Sequence, residues 1–296
     1  MAFQILLNGL IAGLLYSLVA LGFSLIYSGA KVFHIAHGAI YTAAVYFFLA
    51  WIFVAGPASS GWSLFAALLA TLISVCLLAL LFEISVYRPL SVRRAPPLVT
   101  FISSLGLYII IVNLIALFFG NETKILNPNI EPTITLGEVI ITRMQIIQLI
   151  VSSLIILLVF FLLKQTALGR NIRALSDNPI LVNVLGINGK RIRILVFMLG
   201  SLLAASASLL KAFDVGVDPH VGLSAVLTAA VAVIIGGANS HFGAVLGALL
   251  LGMTQNLVVW FLSAQWQDAM TFVIFILVLL ARRDGLLATK LRLEER

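Results

Sequence analysis

The chain has 296 residues, of which 62% are hydrophobic and only 10% are charged, and its formal net charge is +7 at neutral pH. A soluble domain of this length needs far more charged surface, so the composition excludes an ordinary soluble protein and indicates a polytopic membrane protein. The single cysteine, Cys76, lies in an apolar run, which excludes a disulfide framework.

Apolar runs of about 20 residues are long enough to cross a bilayer. Nine such runs follow one another along the chain, at 5–27, 35–55, 62–87, 98–119, 142–164, 192–213, 222–239, 243–262 and 266–281. The first has no basic segment ahead of it, so we interpret it as a span and not as a cleaved signal peptide. Only GGANSH separates the seventh run from the eighth, which leaves two spans or a re-entrant hairpin as alternatives. The prediction is a single all-α domain over residues 1–296, a polytopic bundle of about 8–10 transmembrane helices.

The distribution of lysine and arginine predicts the orientation, because these residues collect in cytoplasmic loops. With the amino terminus outside, 15 of the 18 basic residues face the cytoplasm, mainly in segments 88–94, 164–193 and 282–296. The opposite side then carries the acidic side chains of Glu122, Glu131 and Glu138. We therefore expect an extracytoplasmic amino terminus and a cytoplasmic carboxyl terminus. The basic charge reflects this orientation and not nucleic-acid binding.

Enzymatic chemistry has little support in this sequence. An ATP-binding loop ends in Lys followed by Ser or Thr, whereas Arg191 follows Lys190 in GINGKR. No HExxH motif, cysteine cluster or GxSxG motif is present, so we predict no catalytic residue and no cofactor.

Ionisable side chains are rare within the apolar runs, and each needs a partner. Glu83 lies near the predicted cytoplasmic side, where we expect it to pair with a basic residue. Lys211 and Asp214 are three residues apart on one helix and are expected to pair with each other. No carboxylate stands in the middle of a span, which disfavours a proton-coupled carrier.

Small residues at four-residue spacing indicate close helix packing in membranes. Gly9, Gly13 and Ser17 form one such stripe in the first run, and the late glycine-rich block forms another. A wall of a solute pathway is the alternative explanation for both stripes. The residues assigned to packing or gating are Gly9, Gly236, Gly237, Gly243, Gly247 and Gly252.

Two histidines, His34 and His37, lie three residues apart, which places them on one face of a helix. Zinc normally needs three or four protein ligands, and no third Cys, Asp or Glu occurs in this run. We therefore predict no metal site here.

The loop GRNIRALSDNPILVNVLGINGKRIR carries signals for short helices. Asn178 before Pro179 is a good helix start, and Gly186 is well placed as a stop. Between them an apolar face forms, and it consists of Ile180, Leu181, Val184 and Leu185. A second short helix is expected upstream. Such a loop either docks on another protein or lies in the lipid interface, and the residues alone leave both open.

Three blocks in order resemble the permeases of branched-chain amino-acid ABC importers over nearly the whole chain. The loop matches the family pattern G-R-x-x-R-A-x-x-D-x-P followed by L-G-I, from Gly169 to Ile187. The A-H-G motif matches Ala36 to Gly38, and the glycine block matches Gly236 to Gly252. A terminal R-x-x-G-L pattern recurs loosely at Arg282 to Leu286.

The resemblance implies a permease subunit in the inner membrane that transports amino acids delivered by an extracytoplasmic binding protein. It implies a second permease subunit, in a homo- or heterodimer, and two ABC ATPases that bind the coupling loop at about 165–191. The implied coupling residues are Arg170, Arg173, Asp177, Asn178, Pro179, Leu185 and Gly186. The implied pathway residues are Asn8, Gly13, His34, His37, Gly38 and Tyr41.

Departures from the family pattern concern the identity of the transported solute. The family usually has Asn where this chain has His34, and GGANSHFGA differs from the commoner G-G-x-G-S. An ABC permease for urea, short amides or other small polar solutes is therefore an alternative. An ATP-independent channel or secondary carrier is an alternative of another class.

Overall fold

The computed structural model describes residues 2–55, 61–126, 132–137, 139–281, 285 and 287. Several predictions on charged side chains lie outside these residues. They concern Glu131, Glu138 and the basic residues of the carboxyl-terminal segment, from Arg282 onward, which also carries most of the loose R-x-x-G-L pattern.

Twelve α-helices follow one another in the described part of the chain. They are α1 Ala2–Ala30, α2 Ala36–Ala55, α3 Gly61–Phe82, α4 Arg88–Val92, α5 Pro97–Phe119, α6 Arg143–Gln165, α7 Ala167–Asp177, α8 Pro179–Val184, α9 Gly189–Val215, α10 Val221–Gly236, α11 His241–Phe261 and α12 Gln267–Ala281. A π-helical segment, Glu83–Tyr87, joins α3 to α4, so that Gly61–Val92 is one continuous helical stretch.

The predicted helical membrane bundle is confirmed. Eight helical stretches among the described residues are long and apolar enough to cross a membrane. The seventh predicted run is α10, which has only 16 residues and spans about 24 Å, less than a hydrocarbon core of about 30 Å. A tight turn then leads from α10 into α11, with the Ser240 amide donating to the Gly237 carbonyl at 2.9 Å.

Helix α1 lies in the centre of the bundle. It packs against α9, α10 and α11, and 78% of its apolar window is buried inside the protein. A helix that is apolar on all sides is typical of such a central position. Helix α2 is buried between α3, α5, α9 and α10 along its first half.

A β-hairpin, which the sequence did not predict, marks the end of the bundle where α1 begins. Strands β1 Thr133–Leu136 and β2 Val139–Thr142 pair antiparallel across Gly137, whose φ of 65° suits a two-residue turn. The Gln4 side chain accepts from the Ile140 amide at 2.8 Å and donates to its carbonyl at 3.0 Å. The beginning of α1 is therefore fixed to the hairpin.

The loop after α5 lies at this same end. Lys124 forms a β-bridge with Val217, just beyond α9. Helices α7 and α8 connect the far end of α6 to the start of α9, so they lie at the opposite end of the bundle. The acidic Asp218 and the α7–α8 segment are thus on opposite sides.

Candidate coupling segment and pathway

Helix α7 is held firmly against the bundle. The Thr166 hydroxyl caps it by accepting from the Gly169 amide at 3.1 Å, and the side chains of Ile172 and Leu175 are buried. A Cβ on Gly169 would overlap the carbonyl oxygens of Leu162 and Leu163, so only glycine allows this approach to α6. Helix α7 therefore has a fixed position against α6, and it carries α8.

Helix α8 starts and stops at the residues that the sequence predicted. The Asn178 side chain accepts from the Leu181 amide at 3.0 Å at the start of the helix. Gly186 has a φ of 76°, and the Ile187 amide donates to the Val182 carbonyl at 3.1 Å. This is the Schellman arrangement, in which glycine takes the left-handed position.

The tip of α8 presents apolar side chains to its surroundings. Leu181 is 52% exposed, Val184 is 75% exposed and Leu185 is 65% exposed, whereas Val182 is buried against the bundle. Because the two caps fix the helix, these three side chains form a preorganised apolar knob. Leu181 and Val184 belong to the predicted apolar face but were not among the predicted coupling residues.

The predicted charged residues of this segment differ in their surroundings. Arg170 and Asp177 are exposed on α7. The Arg173 guanidinium donates to the Leu163 carbonyl, which ties α7 to the end of α6. Pro179 is the first residue of α8. Arg170 and Asp177 are therefore accessible to a partner, while Arg173 also holds the segment in place.

Among the predicted pathway residues, His34 belongs to a buried polar network. Its Nδ1 lies 2.7 Å from the Tyr87 hydroxyl, which donates to Ser104 Oγ at 2.9 Å. Ser104 also accepts from the Ala36 amide at 2.9 Å. Because the Tyr87 hydrogen is used on Ser104, His34 Nδ1–H donates to Tyr87. The network joins the start of α2 to the π-helical segment and to α5.

His37 is equally buried but has different neighbours. Its ring lies 5.7 Å from that of His34, centroid to centroid, and packs edge-on against Phe23 at 6.3 Å. The Val19 carbonyl is beside the ring, but neither ring nitrogen completes a hydrogen bond with a described residue. No group of three or more His, Cys, Asp or Glu side chains in the described chain could hold a metal ion.

The remaining pathway candidates divide between packing and a cavity. Gly13 packs against Leu249 of α11, and Asn8 accepts from the Gln4 side chain at 3.2 Å. Gly38 packs against the backbone of Gly222 at the start of α10. Tyr41 lines a cavity between α1, α2, α9 and α10. The structure thus does not gather the six candidates around one space.

The glycines assigned to packing lie at close backbone contacts. A Cβ on Gly236 would overlap Gly243, one on Gly247 would overlap the Ala232 carbonyl, and one on Gly252 would overlap Gly13. Gly9 lies 3.0 Å, measured from its ideal Cβ position, from the Met253 Cα atom. Gly237 has a φ of 104° in the turn between α10 and α11.

Two acidic side chains, those of Glu83 and Asp214, have partners on other helices. Arg193 of α9, and not a neighbour in sequence, forms an ion pair with Glu83. In the described chain no ion pair joins Lys211 to Asp214. Asp214 instead accepts from the Gln148 side chain at 3.4 Å, and Lys211 lines the cavity beside Tyr41.

A bundle of membrane-length helices with a capped, apolar-tipped segment at one end defines a polytopic helical membrane protein. The family described as "Branched-chain amino acid transport system / permease component" matches residues 5–279. The chain belongs to this family of permease components.

Two curated relatives cover almost the whole chain. The high-affinity branched-chain amino acid transport system permease protein BraD of Pseudomonas aeruginosa is 33% identical over 96% of this chain and 95% of its own length. The corresponding permease protein LivH of Escherichia coli K12 is 30% identical over 96% of this chain and 94% of its own.

A solved structure supports the fold. PsaBC from Streptococcus pneumoniae, in complex with a Fab, superposes with a TM-score of 0.51, covering 98% of this chain and 94% of that chain. The two sequences are 14% identical, so this likeness concerns the fold alone.

Proposed function

We propose that the chain is the membrane-spanning subunit of an ATP-driven importer for branched-chain or closely related amino acids. It works in the inner membrane with a second permease subunit, two ABC ATPases and an extracytoplasmic binding protein. ATP-driven closure of the ATPases moves the α7–α8 segment, and this movement switches the pathway from outward-open to inward-open. Family membership and the names of BraD and LivH support the solute class.

The observation that carries the coupling role is the apolar knob of Leu181, Val184 and Leu185. Helix α8 has six residues, too few to be stable in isolation, yet both of its ends are capped. A preorganised apolar surface binds a protein groove with little loss of conformational freedom. Docking on an ATPase therefore accounts for the capped geometry better than adsorption to lipid, which requires no fixed shape.

The charges support an orientation with the α7–α8 segment in the cytoplasm. The described basic residues Arg88, Arg93 and Arg94 precede α5, and Lys190 and Arg191 start α9. These segments are at the end of the bundle opposite the hairpin and Asp218. Basic residues beside spans favour the cytoplasmic side, so the start of α1 faces outward.

The test is reconstitution of the complete transporter in proteoliposomes with ATP inside and the cognate binding protein outside. We expect ATP-dependent uptake of leucine, isoleucine and valine, and co-purification of both ATPases with the permease. A triple change of Leu181, Val184 and Leu185 to Ser should lose ATPase binding. Uptake of urea or acetamide in place of the amino acids, or uptake without an ATPase, would contradict the proposal.

A matched control is a triple change to Ser at three lipid-facing side chains of α6, Leu154, Leu157 and Leu158, which are also exposed. This control removes one apolar carbon atom more than the α8 change does, at a distance from the coupling segment. It should retain ATPase binding if the protein inserts. Loss of ATPase binding in both triple variants would mean that the α8 effect is not specific.

A further inference from the structure

A small cavity lies inside the bundle between α1, α2, α9 and α10. Its volume is about 60 Å³. Most of the wall is apolar, and three of the residues that line it, Tyr16, Tyr41 and Lys211, carry a polar group. The sequence marked Tyr41 as a pathway candidate, but it gave no reason to group Tyr16 and Lys211 with it.

The polar groups of these three side chains have no direct partner in the part of the chain that the structure describes. Among the described residues, the hydroxyls of Tyr16 and Tyr41 and the ammonium of Lys211 form no hydrogen bond or ion pair. The carboxylates of Asp268 and Asp218 act on Lys211 only through space. A largely buried ammonium without a direct partner is costly, so a structural role alone does not explain why a lysine stands at this position.

We propose that this cavity binds the carboxylate group of the transported amino acid. Lys211 supplies the charge, and the hydroxyls of Tyr16 and Tyr41 donate hydrogen bonds to the carboxylate oxygens. Hydrogen bonds to a charged group are the strong ones, and their strength rises where water is excluded. This site rests on the proposed function, because it specifies how the solute is held.

The volume of the cavity limits what it can recognise. At about 60 Å³ the cavity is much smaller than a pocket that encloses a whole ligand, which has about 300–1,000 Å³, so it holds one group of the amino acid. The ammonium of Lys211 selects the carboxylate as that group. The side chain of the solute therefore stays outside the cavity. The site recognises the group that all amino acids share and does not distinguish among their side chains.

A purely structural role of Lys211 and a role in binding the carboxylate predict different transport activities after its replacement. Replacing an unpaired buried charge by an apolar side chain of similar length is neutral or stabilising. Lys211→Met should therefore insert and fold with an unchanged or higher melting temperature. If Lys211 serves only packing, this variant also transports normally.

The test uses the complete transporter in proteoliposomes with a saturating concentration of the binding protein. In Lys211→Met, uptake of leucine, isoleucine and valine should fall about tenfold or more, and by the same factor for all three. Tyr41→Phe, which removes one hydroxyl and keeps the ring, should lower uptake several-fold. Lys124→Met removes a basic residue in the loop next to α5 and should keep wild-type uptake.

Each outcome separates the site from the proposed function. Wild-type uptake by both Lys211→Met and Tyr41→Phe would overturn the site alone. A loss confined to one of the three amino acids would also overturn it, because the cavity holds only the shared group. Absence of uptake by the wild-type transporter would overturn the proposed function and this site with it.

Discussion

Arg193 and Glu83 form an ion pair that joins α9 to the π-helical segment, with 2.6 Å between Nε of Arg193 and Oε1 of Glu83. Arg193 also donates from its guanidinium to Ser91 Oγ at 2.9 Å. Glu83 is 1% exposed. The sequence predicted that Glu83 pairs with a basic residue, and this is confirmed. Sequence spacing could not identify Arg193, because the pairing depends on how α9 packs beside α3.

Removing one member of this pair should destabilise the protein strongly. Arg193→Met leaves the carboxylate of Glu83 buried without its partner, and the expected loss is about 3–5 kcal/mol of unfolding free energy. The double variant Glu83→Met/Arg193→Met has no unpaired buried charge. It should recover most of the unfolding free energy that Arg193→Met loses. Thermal unfolding of the purified variants in detergent measures this. A double variant as unstable as the single one would contradict a net ion-pair effect.

The contact between Gly38 and Gly222 predicts a second loss of stability. A Cβ on Gly222 would overlap the Gly38 carbonyl and approach Thr42 Oγ1. Gly222→Ala therefore separates α2 from α10, at an expected cost of about 1–3 kcal/mol. Thermal unfolding and uptake should both decline.

The control for this substitution is Gly106→Ala in α5. Nothing lies within 4 Å of the Cβ position at Gly106. This variant should be neutral or up to about 1 kcal/mol more stable, because alanine is the better helix former. An equal loss in both variants would show that backbone flexibility, and not the close contact, explains the effect.

His34 provides a third prediction, on the position where the family usually has Asn. The shorter side chain of asparagine would remove the hydrogen bond that the Tyr87 hydroxyl accepts from His34, while Tyr87 still donates to Ser104. The expected cost is about 0.5–1.5 kcal/mol. His34→Asn and Tyr87→Phe should each lower the melting temperature. Tyr87→Phe also removes the hydrogen bond to Ser104 and should cost more. The double variant should lose less than the sum of the two effects, since both substitutions remove the hydrogen bond between His34 and Tyr87.

Uptake measurements separate this structural role from a role in the pathway. His34→Asn should keep the wild-type order of preference among leucine, isoleucine and valine, because His34 is fully buried beside Tyr87. A changed order of preference would place His34 in contact with the solute. The readout is competition between labelled and unlabelled amino acids in the complete transporter.

The long helices were predictable because apolar runs of membrane length leave few other structures open to the chain. The predicted runs at 98–119 and 142–164 differ by at most one residue at each end from α5 and α6. The hairpin at 133–142 was missed, since its short alternating strands join directly to an apolar run. The π-helical segment leaves no comparable signal in the sequence.

The candidate site was predictable only where local chemistry determines it. Asn178 and Gly186 were predictable as the two ends of α8, because helix capping depends on neighbouring residues alone. Lys211 and Tyr16 were not connected to Tyr41, since their grouping requires α1, α2 and α9 to pack together. The spacing of Lys211 and Asp214 also favoured an ion pair between them. The packing of α6 against α9 instead places the Gln148 side chain where it donates to Asp214.

The caps of α8 give the last prediction. Gly186→Ala places a Cβ at a φ of 76°, where an L-residue costs roughly 1–2 kcal/mol, although no atom lies within 4 Å of the new methyl group. The substitution should loosen α8 and lower transport-coupled ATPase activity several-fold. The melting temperature of the bundle should stay near that of the wild type, because α8 is peripheral.

Gly186→Asn is the matched variant, since asparagine tolerates the left-handed conformation better than alanine does. It should recover part of the ATPase activity lost in Gly186→Ala while adding a larger side chain at the same exposed position. The comparison is made on the complete transporter, with ATP hydrolysis measured with and without the binding protein. If Gly186→Asn is as impaired as Gly186→Ala or more so, then the size of the side chain against the ATPase, and not the backbone conformation, limits coupling.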